Sequence, residues 1–321
     1  MTAAAVCVSA PLSGASGGVG CGYLFTCGIV YGKRILLSVN PTLPKGDPMP
    51  QDSFIQTIMN IEHIGSPPKL AIKILRKAEK EDAGLNEVAR LILSEPTIAA
   101  QVLKVANSAR YSPVGRITSV PQAVVHLGLE TVKKILFAIE IMGIFPNNFV
   151  EDGFDEKKFW RNTMAGALIM QTLSFKKHPE QAESFFLTGL LRNTGVLIIR
   201  NYFPARFEEI LALCKKERLS FARSCKAVEV LDQKQTAALV CDRWNLPYEV
   251  VAPLNSYATD NLLVNDTRYA LDLAEAALHQ AGYEIWDKHF QPATGITAEE
   301  SKALVDKISP TMASLCEYLA M

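Results

Sequence analysis

Histidine is scarce in this chain, five in 321 residues, and no two of them stand close together: His63, His126, His178, His279 and His289. No His-Asp dipeptide and no H-x-x-x-H occurs, which removes the local ligand clusters that most hydrolytic metal centres use. Cysteine is equally thin. Cys7, Cys21 and Cys27 lie near the N-terminus and four more are scattered, with no C-x-x-C. An odd, dispersed set in a chain long enough to bury its own core reads as reduced thiols of a cytoplasmic protein. Cys214, Cys225 and Cys241 fall on expected apolar helix faces, where cysteine serves as a small hydrophobe.

No apolar run approaches the ~18–20 residues a membrane span needs, and the N-terminus lacks the pattern of a secretory signal. Excess charge of either sign is also missing, with 33 basic and 33 acidic residues. That balance excludes gripping nucleic acid or anionic membrane by bulk electrostatics. There is no G-x-S-x-G. "GIVYGKR" is one residue short of a phosphate-binding G-x-x-x-x-G-K-[ST] loop and ends in Arg34.

Residues 1–48 differ from the rest. "SGASGGVGCG" is small and flexible, which predicts a poorly structured arm. The alternatives are a short strand pair around "YLFTCGIVYGKRILLSV" and an upstream stretch preceding a natural start at Met49. From about Ser53 apolar residues recur at helical spacing. "SFIQTIMNIEHI", "KLAIKILRKAEK" and "LNEVARLILSE" are amphipathic, and "PTIAAQVLKVANSA" starts with proline in its first turn. Ser119 can cap a helix that Gly128 ends, and "LETVKKILFAIEIMGIF" follows. A second block opens near Phe154 with "EKKFWRNTMAGALIMQTLSFKK", whose Ala165, Gly166 and Ala167 permit close helix approach. Further helices run through "PEQAESFFLTGLL", "GVLIIRNYF", "ARFEEILALCKKE", "SFARSCKAVEVL", "QKQTAALVCDRW" and "PYEVVAPLNSY", with more over 265–281 and 297–320. The expected fold is all-α with two packed helical lobes, 53–147 and 154–257, and an extension over 258–321 packed on the second.

"QAVVHLGLETVKKILFAIE" has a helix–glycine–helix outline, but Ile135, Leu136, Phe137, Ile139, Ile141 and Met142 leave no polar recognition face. Core packing is the expectation, with His126 a core or boundary histidine.

Several ordered segments resemble the HDOD family, helical relatives of HD-type metal phosphohydrolases in bacterial signalling. They are "ILSEPTIAAQVLKVANSARYSP", "ITSVPQAVVHLGLETVKKI", "FWRNTMAGA", "FLTGLLRNTGVLII", "FPARFEEILALCKKERLS" and "CDRWNLPYEVV". The resemblance covers residues 53–257. It implies that catalytic HD relatives carry His-Asp where "GLLRNTG" has Arg192 and Asn193, a His at Asn162, and another near Gln233. On that mapping the metal site is degenerate, and no cofactor is expected. Arg192 is worse than a missing ligand, since a permanent cation occupies the place of a dication. Its structural reading is a guanidinium filling the vacated cavity and bonding a carboxylate or helix-end carbonyls. The functional alternative makes Asn162, Arg192, Asn193 and Gln233 an anion pocket for a nucleotide phosphate. Asn107-Ser108, a hallmark of the family, reads as a helix C-terminal cap bonding the following loop and keeping the lobes in register.

The resemblance implies a non-catalytic signalling or scaffold protein that meets a protein partner in trans, since family members often accompany sensor, receiver or cyclic-dinucleotide domains. A nucleotide-binding sensor and a residual phosphohydrolase are the rival expectations.

Overall fold

The computed structural model describes residues 4–8, 26–31, 34–36, 50–61, 64, 68–78, 85–108, 116–144, 154–283 and 295–319. Every described element from Pro50 onward is helical. The N-terminal segment corrects the expectation of an unstructured arm. It contains three antiparallel strands, β1 (Ala4–Val8), β2 (Thr26–Tyr31) and β3 (Arg34–Leu36), in the order β1-β2-β3. Thr26, Ile29, Val30 and Tyr31 give β2 the β-branched and aromatic content that outweighed flanking glycine. The register pairs Ile29 with Leu36, Val30 with Ile35 and Tyr31 with Arg34. This is the strand-pair alternative, with a third strand added.

The helices follow the apolar periodicity closely. α1 (Pro50–Asn60), α2 (Lys69–Ala78), α3 (Leu85–Leu93), α4 (Pro96–Ala106), α5 (Val120–Leu127) and α6 (Leu129–Ile144) come first. Ser119 caps α5 by accepting from Gln122 N, and Gly128 ends it at φ 78°, a conformation that favours glycine. Next come α7 (Glu156–Ser174), α8 (Ala182–Leu191), α9 (Thr194–Tyr202), α10 (Pro204–Lys216), α11 (Phe221–Ala227), α12 (Gln233–Arg243) and α13 (Tyr248–Val251). α14 (Leu262–Gln280) and α15 (Ala298–Leu319) close the fold.

Helices α2 to α6 pack on one another, and α7 packs against α8, α14 and α15. One continuous apolar core nevertheless runs from Phe54 to Leu315. Lys133 on α6, only 6% exposed, reaches across to Glu183 on α8 and bonds Glu130 on its own helix at 3.2 Å. Burial holds the Glu183 carboxyl above the usual carboxylate range against the pull of Lys133. The buried Ile135, Leu136, Phe137 and Ile141 confirm that α6 faces the core. His126 is a correction: it is exposed on α5. Cys214, Cys225 and Cys241 are all buried, and burial pushes the Cys241 thiol far up. The side chains of Cys7, Cys21 and Cys27 lie outside the described residues, as do those of His63 and His289.

α1 docks on the second helical group. Phe54 packs on Phe203 with ring centroids 4.4 Å apart. Arg243 on α12 donates to Ile58 O at 2.5 Å and Ile61 O at 2.9 Å, closing the C-terminal end of α1.

The first turn of α2 is capped from another helix. The Glu140 carboxylate on α6 accepts from Leu70 N at 3.1 Å and Ala71 N at 2.6 Å. Burial raises the Glu140 pKa, outweighing the two N–H bonds that lower it. A carboxyl that holds its proton more tightly when folded contributes stability that is fully present below its unfolded pKa. That contribution falls as pH rises through the folded value. The difference in stability between wild type and Glu140→Gln should therefore drift against the wild type as pH rises from the ordinary glutamate pKa. Denaturant titration at stepped pH measures it; a flat or opposite difference would reject the account.

Asn107 caps α4. Its Nδ2 donates to Leu103 O at 2.8 Å and to Ile117 O at 2.8 Å, while its Oδ1 accepts from Ile117 N at 2.9 Å. One side chain thus fastens the end of α4 to the approach to α5. These bonds stay within the first helical group, so Asn107 does not hold the two groups in register. Ser108 also departs from expectation, since its buried hydroxyl has no hydrogen-bond partner among the described residues. Asn107→Ala removes three bonds worth ~1 kcal/mol each and should lower stability by about 2–3 kcal/mol. Asn107→Asp keeps only the acceptor for Ile117 N and should recover part of that loss in urea melts.

Candidate functional site

α8 and α9 are separated by only Arg192 and Asn193, which answers why two polar residues sit inside an apolar run. Arg192 keeps helical angles as the C-cap of α8, and its N–H bonds Thr188 O at 3.0 Å. Asn193 starts α9 without capping it by its side chain. Both side chains instead turn into α7. Arg192 is 1% exposed and is the largest fully buried side chain among the described residues.

Among the described residues its guanidinium meets only uncharged oxygens. Nη1 donates to Thr163 O at 3.0 Å and Gly189 O at 2.6 Å; Nη2 donates to Asn162 O at 3.0 Å and Asn162 Oδ1 at 2.6 Å. Asn193 Nδ2 donates to Asn162 Oδ1 at 3.0 Å and Thr163 Oγ1 at 3.2 Å. Asn162 Nδ2 in turn donates to Tyr283 O at 2.8 Å. The cation sits at the C-terminal end of α8, where the helix dipole favours it. Burial drives its pKa down to about 10, opposed by the field of Glu275, so it stays charged near neutral pH. Of the two expected kinds of partner, carbonyls are present, and no carboxylate is hydrogen-bonded to it.

Glycine makes room for this arrangement. A Cβ on Gly166 would lie 2.4 Å from Arg192 Cζ and Nη1. On Gly189 it would lie 2.7 Å from Ala167 Cα, so α7 and α8 meet nearly backbone to backbone. Gly195 brings the start of α9 against the start of α12, where an added Cβ would stand 2.1 Å from Gln233 O. Three of the four residues of the mapped site are therefore hydrogen-bonded together. Gln233 is adjacent through its backbone, but its buried Oε1 has no partner among the described residues.

Sequence reasoning missed Thr163, Lys234 and Glu275, and it marked Gly166 for close helix approach without placing it at Arg192. Gly166 was legible, because it stands four residues after Asn162 and so shares its helix face. Lys234 bonds Glu275 at 3.3 Å and lies 3.9 Å from Asp272. Burial pulls the Lys234 pKa down, but Glu275, Asp272 and Asp232 outweigh it and hold the value above that of an ordinary lysine.

A metal does not fit these residues. Amide and guanidinium groups are not the imidazole and carboxylate donors a metal needs, and the guanidinium fills the space between them. Among the described residues no group of three or more His, Cys, Asp or Glu side chains is placed to hold an ion.

Fold and site together define a mainly helical protein with a small N-terminal sheet and a buried, hydrogen-bonded Asn162–Arg192–Asn193 cluster where α7, α8 and α9 meet. A model of the HDOD domain matches residues 64–259, and the chain belongs to that family. Its fold is similar to an HDOD domain protein with unknown function from Geobacter sulfurreducens, with TM-score 0.67 and 17% identity over 83% of this chain and 97% of that one. A protein from Marinobacter aquaeolei VT8 assigned to signal transduction gives TM-score 0.65 and 21% identity over 79% and 59%. One from Shewanella amazonensis SB2B assigned as a phosphohydrolase gives 0.60 and 22% over 85% and 100%. At such identities the likeness shows the fold alone. An uncharacterized protein of Treponema pallidum (strain Nichols) is 22% identical over 193 residues, 60% of this chain, which spans 37% of that relative's length. No helix among the described residues is long and apolar enough to cross a membrane.

Proposed function

We propose that this HDOD protein is a non-catalytic, cytoplasmic component of signal transduction that works by protein–protein contact with a partner in trans. The observation that carries the reading is the commitment of Arg192. All four terminal N–H groups of its guanidinium are used by oxygens of Asn162, Thr163 and Gly189, in the place where the family's catalytic relatives hold a metal. A nucleotide phosphate would have to displace those bonds, which also disfavours the sensor reading.

The test uses the purified full chain, incubated in turn with manganese, iron and zinc, then freed of loose metal. Elemental analysis should find no stoichiometric ion, and generic phosphomonoester and phosphodiester substrates should remain intact. One or two tightly held ions with chelator-sensitive hydrolysis would establish an enzyme instead. A nucleotide that raises the melting temperature of the wild type, as ligand binding to the native state must, and fails to do so in Arg192→Met, would establish a sensor. In signalling, the same chain should bring down a defined receiver or sensor protein at reproducible stoichiometry.

A further inference from the structure

The family match ends at residue 259, yet the site is completed from beyond it. The main-chain oxygen of Tyr283 accepts from Asn162 Nδ2 at 2.8 Å. Glu275 on α14 bonds Lys234, the neighbour of Gln233, at 3.3 Å. At the other end of α14, Asp266 accepts from Lys177 at 3.1 Å and pairs with His178 Nε2 at 2.8 Å, in the turn between α7 and α8. Along the helix the buried Val264, Thr267, Leu271, Ala274 and Leu278 form one stripe, and α14 packs on α7. α15 fastens it again through Ser301 Oγ, which donates to Ala277 O at 2.9 Å.

Charge gives this placement its significance. A guanidinium with only neutral oxygens around it is expensive to bury. Arg192 makes no ion pair among the described residues, and Glu275 is the carboxylate whose field opposes its desolvation. Lys234 leans on the same carboxylate.

We infer that α14 and the residues up to Tyr283 form a strap that keeps the filled site closed. Glu275 is the shared counter-charge of Arg192 and Lys234, and the Tyr283 carbonyl is the anchor of Asn162. Both act on the site through other residues and are positioning groups. Any event that displaces α14 and α15 then reaches the Asn162–Arg192–Asn193 cluster directly, which makes the C-terminal helices the input side of the domain. The inference goes beyond the reading above and holds whether or not the cluster meets a nucleotide.

The experiment follows Arg192 guanidinium protons by NMR in the full chain labelled with ¹⁵N-arginine. Slow exchange is expected in the wild type. Glu275→Gln should accelerate it about tenfold or more, the factor carried by ~1.4 kcal/mol. Lys234→Met, which removes the ion pair of Glu275 with Lys234, should leave it unchanged or slower. Unchanged exchange in Glu275→Gln, or equal acceleration in both variants, would overturn the shared counter-charge. Should Glu275→Gln not fold, Glu275→Asp keeps the charge one methylene shorter and should show a smaller acceleration. Asn162→Asp keeps an oxygen for Arg192 but cannot donate to Tyr283. Its backbone amides over 278–283 should exchange about tenfold faster, and wild-type protection there would remove the anchor.

Discussion

Arg192→Ala is expected to destabilise the fold by ~3–5 kcal/mol, the largest single-residue effect in the second helical group. The change empties a cavity beneath α7 and removes four hydrogen bonds at once. It strands few groups completely. The Asn162 and Thr163 carbonyls lie inside α7 and keep their helical partners, and Asn162 Oδ1 keeps Asn193. Lost volume should therefore dominate, and Arg192→Met, of similar length and no charge, should recover much of the stability. Equal losses in the two variants, measured by urea unfolding, would show that the hydrogen bonds dominate instead. Returning His and Asp to positions 192 and 193 together should not create a metal centre. Asn162 and Gln233 still offer amides where further imidazole donors are needed.

Gly166→Ala should be nearly as damaging, at about 3 kcal/mol, although alanine is the better helix former. The added methyl would stand 2.4–2.5 Å from the guanidinium carbon and both terminal nitrogens of Arg192. The tip of a flexible side chain can usually retreat, but this one is buried and held by four bonds. The two positions should be strongly coupled. In an Arg192→Ala background the methyl enters empty space, so Gly166→Ala should cost little or even stabilise. Additive losses in the double variant would mean that the clash is relieved by backbone movement rather than by the arginine.

The helices were legible because apolar periodicity and caps agree. Ser119, Gly128 and the early prolines of α4 and α5 mark ends that the structure places at the same residues. The N-terminal strands were less so, because glycine-rich composition and β-branched residues argue in opposite directions over residues 1–36. Within the site, residue types told which polar groups were on offer, but not how they bond to one another. Whether Arg192 meets a carboxylate or carbonyls depends on how far α7 approaches α8, and that distance is set by Gly166 and Gly189 together. Glu275 lies 83 residues further on and carries no local signal at all, since its role arises from where α14 lands. Asn107 shows the same limit, as its partner Ile117 lies ten residues away across a loop.

The docking of α1 has a consequence for how the chain is made. Arg243 and Ile58 are 185 residues apart in sequence. Translation proceeds at ~5–20 residues per second, so α1 leaves the ribosome roughly 10–40 s before its binding site on α12 exists. Phe203, on which Phe54 packs, is itself made 149 residues after Phe54, so that ring contact is also missing for most of the interval. Until synthesis passes Arg243 the apolar positions of residues 54–58 lack part of their docking surface, a window in which they are open to other apolar contacts.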